Sequence, residues 1–91
     1  MAFTTPLVVA GRNYPTAYIK ATVRFCDAGA TILQLHAWET QELRQEGVPQ
    51  LVWDKDLRTF DTVDLAADNP VHYGYQLLEA SGEFPEATWN V

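Results

Sequence analysis

The strictest pattern in this chain is an alternation of apolar and polar residues over residues 17–25. Successive side chains of a β-strand point to opposite faces, so this alternation predicts a strand with one buried face and one face in solvent. Such a strand needs strand partners and an apolar cover, which makes a β-sheet the centre of the fold. The apolar positions are Ala17, Ile19, Ala21, Val23 and Phe25, and the intervening positions are Tyr18, Lys20, Thr22 and Arg24.

Partners for this strand can be found on both sides of it. Residues 7–9 are apolar and precede Gly11, Arg12 and Asn13, which predicts a short opening strand joined to the long one by a turn at residues 11–13. Residues 31–38 carry apolar side chains on both faces, which is typical of a central strand or one covered on both sides.

The middle of the chain is less regular. Residues 39–47 are polar except for Leu43, and we predict a loop there, with an irregular strand end or a short helical turn as alternatives. Residues 51–53 and 57–63 flank the polar residues 54–56, which predicts a hairpin between two further strands.

Residues 71–81 have the signals of a complete helix. Asn69 suits the N-cap, Pro70 the first helical position, and Gly82 the position after the end. The apolar stripe predicts that this helix packs on the sheet, and the glycine within the stripe predicts a close approach. The stripe consists of Val71, Gly74, Tyr75 and Leu78, with Leu77 beside it.

These elements predict an α+β fold in a single domain, residues 1–91: an antiparallel β-sheet, or a sandwich-like meander, of about five strands with one C-terminal helix packed on it. A chain of 91 residues can bury a core but leaves little room for an enclosed active-site cavity.

Charge and composition disfavour several classes of partner. The formal net charge is −6, from twelve acidic and six scattered basic residues, and this field repels nucleic-acid phosphates and anionic lipid. No stretch approaches the ~18 apolar residues of a membrane span. From the charge and the short apolar stretches we expect neither nucleic-acid nor membrane partners. A single cysteine, Cys26, excludes an intramolecular disulfide, so we expect synthesis in a reducing cytoplasm.

Candidate catalytic and ligand-binding groups are few. Cys26 with His36 and His72 offers a nucleophile and bases, but their spacing matches no local catalytic or zinc signature. The five glycines are isolated from one another, so no phosphate-binding loop is present. We therefore predict no enzyme activity, no cofactor and no metal. Four aspartates fit a turn and an exposed strand better than a calcium site: Asp54, Asp56, Asp61 and Asp64.

Two terminal segments, residues 1–6 and 83–91, place large aromatics in a polar setting. Phe3, Phe84 and Trp89, with Tyr73 on the helix as a weaker candidate, are predicted protein-interface residues, because aromatic arms can dock on a neighbouring chain. The alternative is that both arms fold back onto their own domain.

Several short sequence motifs, and their order along the chain, resemble those of one protein family. They are Tyr14-Pro15-Thr16-Ala17-Tyr18-Ile19, residues 22–25 and 31–36, Arg44-Gln45-Glu46-Gly47-Val48-Pro49, an Asn69-Pro70 helix carrying residues 74–78, and Glu83-Phe84-Pro85-Glu86-Ala87. In these the chain resembles small tailed-bacteriophage proteins that are virion or tail-associated. The resemblance implies no catalytic residue.

Together with the resemblance, these features favour a bacteriophage structural or assembly protein of the tail, baseplate or head-tail region. We expect it to reside in the virion and to contact other phage structural proteins, as a homo-oligomer or in multiple copies. The alternative is a free cytoplasmic accessory module that binds a host protein or a small ligand.

Overall fold

A computed structural model, which describes residues 2–27, 30–53, 55–61 and 70–90, has one five-stranded antiparallel sheet with a helix packed on it. The predicted α+β class is confirmed. The strand order is β4-β3-β2-β1-β5, so the long β2 lies at the centre. The strands are β1 (Ala2–Val9), β2 (Arg12–Asp27), β3 (Ala30–Trp38), β4 (Leu57–Phe60) and β5 (Thr88–Asn90), and the helices are α1 (Gln41–Gln45) and α2 (Pro70–Ser81).

Strand β2 follows the predicted alternation as far as Val23. The register with β3 then shifts, so that Val23 pairs with Leu33 and Phe25 with its neighbour Ile32, and the alternation predicted through Phe25 is broken there. Ala17 and Ile19 have no exposed surface and Ala21 is 6% exposed, whereas Thr22 and Arg24 on the opposite face are exposed. The face that carries Ala17 is called the inner face, and the opposite one the outer face.

The turn between β1 and β2 is tighter and earlier than predicted. Val9 pairs with Arg12, so the loop contains only Ala10 and Gly11, and Arg12 and Asn13 already belong to β2. Both loop residues have positive φ, 53° and 78°, as a type I′ hairpin turn requires. The prediction of a turn at residues 11–13 was wrong because Ala10 supplies half of the turn, and alanine rarely adopts positive φ.

Strand β3 is an interior strand of the sheet, as its apolar pattern predicts. It pairs with β2 on one side and with β4 on the other. Its inner-face residues are buried: Thr31, Leu33, Leu35 and Ala37.

The predicted strand at residues 51–53 is wrong, since this segment forms no strand. It still borders β3, because the Leu51 N–H donates to the Ala37 carbonyl and the Leu35 N–H donates to the Asp56 carbonyl, each at 2.7 Å. The predicted strand at 57–63 is observed as β4, Leu57–Phe60; residues 62 and 63 lie outside the described residues. The fifth strand is β5, from the predicted C-terminal arm.

The predicted loop at residues 39–47 contains the short helix α1. Thr40 is its N-cap, and the Thr40 hydroxyl accepts from the Leu43 N–H at 3.1 Å. The Arg44 guanidinium lies over the Trp38 ring, 5.0 Å from its centroid, and 5.9 Å from that of Tyr18. The alternative of a short helical turn is therefore the one observed, and the sequence favoured a loop because an arginine, and not an apolar stripe, contacts the sheet.

Helix α2 confirms the predicted packing. Tyr75 and Leu78 are 1% and 0% exposed, and Gly82 has a φ of 71° directly after the helix. A Cβ on Gly74 would lie 2.8 Å from Leu33 Cδ2, so glycine is what lets the helix approach β3 this closely. The predicted N-cap Asn69 lies outside the described residues.

The Tyr75 hydroxyl accepts a hydrogen bond from β2 beyond the end of its pairing with β1. The last registered pair of β1 with β2 is Phe3 with Ile19, and two residues further along the Ala21 N–H donates to the Tyr75 hydroxyl at 2.8 Å. Burial raises the pKa of Tyr75 above its ordinary value, the bond from Ala21 lowers it in part, and Tyr18 raises it further.

Candidate functional site

Three of the four predicted interface residues meet inside the fold. Phe3 on β1 pairs with Trp89 on β5, and their rings stack with centroids 4.3 Å apart. Phe84 lies against the same Phe3 ring, with centroids 5.1 Å apart, and Phe3 itself is 1% exposed. The alternative in which both arms fold back onto their own domain is the one observed in this chain.

The segment between α2 and β5 is held from the opposite side of the sheet. Arg58 of β4 makes an ion pair with Glu83, with Nη2 and Oε1 2.7 Å apart and Nε donating to both carboxylate oxygens at 2.8 and 2.9 Å. The guanidinium also lies between the Trp53 and Phe84 rings, 5.3 and 6.0 Å from their centroids. Residues 83–89 therefore cross the inner face from β4 to the far edge.

The fourth predicted interface residue is Tyr73. It lies on α2 and is partly buried. It therefore retains some exposed surface, whereas Phe3 has almost none.

The β1–β2 hairpin extends beyond its neighbours. Strand β5 pairs with β1 only as far as Thr4, and β3 pairs with β2 only as far as Tyr18. Residues 6–16, which we call the hairpin tip, are paired only with each other among the described residues. A two-stranded ribbon of this kind has no neighbouring strand for its backbone N–H and C=O groups along either edge, although Pro6 and Pro15 have no N–H to offer.

The hairpin tip carries apolar surface. Val8 is 62% exposed, and Pro6 and Pro15 are also exposed. A shallow depression of about 240 Å³ is lined by Pro6, Leu7, Val8, Asn13, Tyr14 and Pro15.

A second exposed apolar surface lies along the outer edge of β3. Residues 46–53 and 55–57, which we call the edge segment, carry Val52 at 93%, Leu57 at 56% and Val48 at 42% exposure. Helix α1 precedes this segment. Glu42 lies on α1 and Glu46 directly follows it, and both are exposed.

Polar side chains on the outer face tie the edge segment to the sheet. The His36 ring lies between the Thr22 hydroxyl, 3.1 Å from Nε2, and the Gln50 amide, 3.0 Å from Nδ1. His36 therefore has a structural role here. In a parallel chain of contacts, Arg24 donates to Gln34 at 2.7 Å, and Gln34 donates to Asp56 at 3.0 Å.

The catalytic and metal candidates do not assemble among the described positions. Cys26 pairs with Thr31 and His36 with Lys20, so five residues of β3 separate the two levels, about 16 Å at ~3.3 Å per residue. His72 lies 3.2 Å from the Gln76 amide on α2. Among the residues described, no three His, Cys, Asp or Glu side chains are placed to hold a metal, and no helix is long and apolar enough to cross a membrane. The side chains of Cys26, Asp54 and Asp64 lie outside the described residues.

Sequence reasoning missed the exposed apolar residues Val8, Val48 and Val52. A signal for Val8 was available: in three consecutive apolar strand residues, 7–9, alternation must turn one toward the opposite face. Val48 and Val52 gave no comparable periodic signal, since residues 48–53 form neither a helix nor a strand.

No protein-family model, no curated protein and no solved structure matches this chain in the three comparisons made.

Proposed function

We propose that this chain is a structural or assembly protein of a tailed-bacteriophage particle that acts through protein contacts between multiple copies and neighbouring particle proteins. The particle assignment, to the tail, baseplate or head-tail region of a virion, is supported by the sequence resemblance. The binding mechanism is supported by surfaces of the molecule itself.

The observation that carries the proposal is the hairpin tip. It extends past both neighbouring strands and exposes Val8 beside two prolines. Proteins ordinarily shield strand edges, so an apolar ribbon with open edges is typical of a surface that another chain covers.

The arrangement of the aromatics refines where contacts can occur. Phe3, Phe84 and Trp89 pack on one another, so they stabilise the domain that presents the contact surfaces. The partner contacts are instead assigned to the hairpin tip and the edge segment, with Tyr73 as a secondary candidate.

A small-ligand module is the less favoured function. The best candidate cavity, between β3 and the edge segment, is about 250 Å³ and is lined by Leu35, Gln50, Leu51, Val52, Trp53 and Asp56. That volume lies below the ~300–1,000 Å³ of ordinary ligand pockets.

The test combines light scattering on the purified protein over a wide concentration range with mass spectrometry of purified particles. A defined oligomer, or a fixed copy number in particles, is expected. A strict monomer that is absent from particles would contradict the proposal and favour the accessory module.

A further inference from the structure

We propose that the partner of the hairpin tip is a second copy of this chain, and that the tip docks head-to-tail on the edge segment of that copy. This inference rests on the proposed function and names the occupant of its principal contact surface. The argument uses the distribution of charge, the two exposed apolar surfaces and their positions on the molecule.

Charge is divided sharply along the chain. Residues 1–26 carry three basic residues, Arg12, Lys20 and Arg24, and no acidic one, a formal charge of +3. Residues 27–91 carry twelve acidic and three basic residues, a formal charge of −9. The β1–β2 hairpin of one copy is therefore attracted to the remainder of another.

The same division holds at the two surfaces. Arg12 is exposed at the hairpin tip; it pairs with Val9 and therefore lies on the face opposite to Val8. Glu42 and Glu46 are exposed near Val48 and Val52 of the edge segment. The tip carries Arg12 and no acidic residue, whereas the edge segment with Glu42 carries three acidic residues, Glu42, Glu46 and Asp56, and one basic residue, Lys55. Their net charges are opposite, so contact buries apolar area between surfaces of unlike net charge.

The positions of the surfaces define the type of contact. The hairpin tip is the end of β1 and β2, whereas the edge segment borders β3 on the side away from β2. Because the contact joins two different surfaces, it is heterologous, and repeated copies generate a ring or an open chain.

The experiment uses two variants that each disable one surface. Val8→Asp disables the tip and Val52→Asp disables the edge segment; both positions are exposed, so little loss of stability is expected. Each variant alone should self-associate at least about tenfold more weakly than the wild type. An equimolar mixture should form a 1:1 complex that does not grow, since only one intact tip and one intact edge segment remain. Analytical ultracentrifugation distinguishes these species.

Ala80→Asp is the control, because it adds the same charge at an exposed position of α2. It should assemble like the wild type. Arg12→Glu is a second tip variant, to be used if Val8→Asp fails to fold, and it should behave in the same way in the mixture.

Failure of this inference can be separated from failure of the proposed function. A wild type that assembles while the single variants assemble equally well would overturn head-to-tail docking and leave the assembly function standing. A mixture that remains monomeric would also overturn it. A wild type that is monomeric alone but present in particles at fixed copy number would overturn head-to-tail docking and leave the assembly function standing through contacts with other particle proteins. A monomer absent from particles would overturn both.

Discussion

The segment after α2 and the hairpin tip both carry large apolar side chains outside the centre of the sheet, yet these side chains lie in opposite environments. Phe84 and Trp89 pack against Phe3 on the inner face, whereas Val8 remains 62% exposed. The difference follows from partners: β1 offers Phe3 to the first region, while the tip lies beyond every neighbouring strand among the described residues. A large apolar residue outside the centre of the sheet therefore does not by itself show whether its contact lies within the chain.

Replacing Phe3 with alanine should give the largest effect. Phe3 is 1% exposed and lies between Trp89, Phe84 and Tyr75, so truncation leaves a cavity and should cost about 3–5 kcal/mol. Urea unfolding followed by tryptophan fluorescence measures this. A loss below ~1 kcal/mol would mean that the terminal segments do not pack as described.

Replacing Trp89 with alanine should lower the free energy of unfolding by about 2–3 kcal/mol, less than for Phe3 because Trp89 is only partly buried. Trp89→Phe, the control, keeps an aromatic ring against Phe3 and should recover most of the loss. Unchanged stability combined with lost assembly would instead make Trp89 an external anchor, as the sequence alone suggested.

Replacing Tyr75 with phenylalanine should cost about 1–3 kcal/mol, because the Ala21 N–H loses its acceptor in the core. The raised pKa of Tyr75 predicts a pH dependence as well. Its contribution is fully present below the unfolded-state pKa of ~10 and is lost as pH rises from there through the folded-state pKa. The wild type should therefore lose stability in this alkaline range more steeply than Tyr75→Phe. Parallel slopes for the two proteins would contradict the assignment.

The smallest effects test the tip with a matched pair of neighbours. Val9 is 6% exposed and Val8 is 62% exposed, so Val9→Ser should cost about 1–2 kcal/mol and Val8→Ser no more than ~0.5 kcal/mol. Thermal unfolding of dilute monomer compares them. Equal losses would mean that the outward face of the tip is covered within the chain.

The sequence allows the elements with local signals to be predicted. Alternation at residues 17–25 predicts β2, and Pro70 with Gly82 predicts α2, since each depends on residues close together in the chain. The close approach at Gly74 is also predictable, because a glycine within an apolar stripe has few other uses.

Long-range pairings could not be predicted in this way. Strand β5 exists because Trp89 pairs with Phe3 across nearly the whole chain, and no local pattern encodes that register. The edge segment likewise borders β3 through single backbone bonds, from the Leu51 N–H to β3 and from the Leu35 N–H to the Asp56 carbonyl, which need no alternating sequence. The exposed surfaces are the parts that these long-range pairings leave uncovered, so the candidate site was the least predictable part.

The pairing of β1 with β5 also determines where attachments can be made. Ala2 and Asn90 are register partners at the end of the sheet opposite the hairpin tip, so their Cα atoms are ~5 Å apart. A fluorescent protein or affinity tag fused beyond either residue would leave the sheet at the same corner, far from the tip. A linker of a few residues would suffice to join these two positions directly.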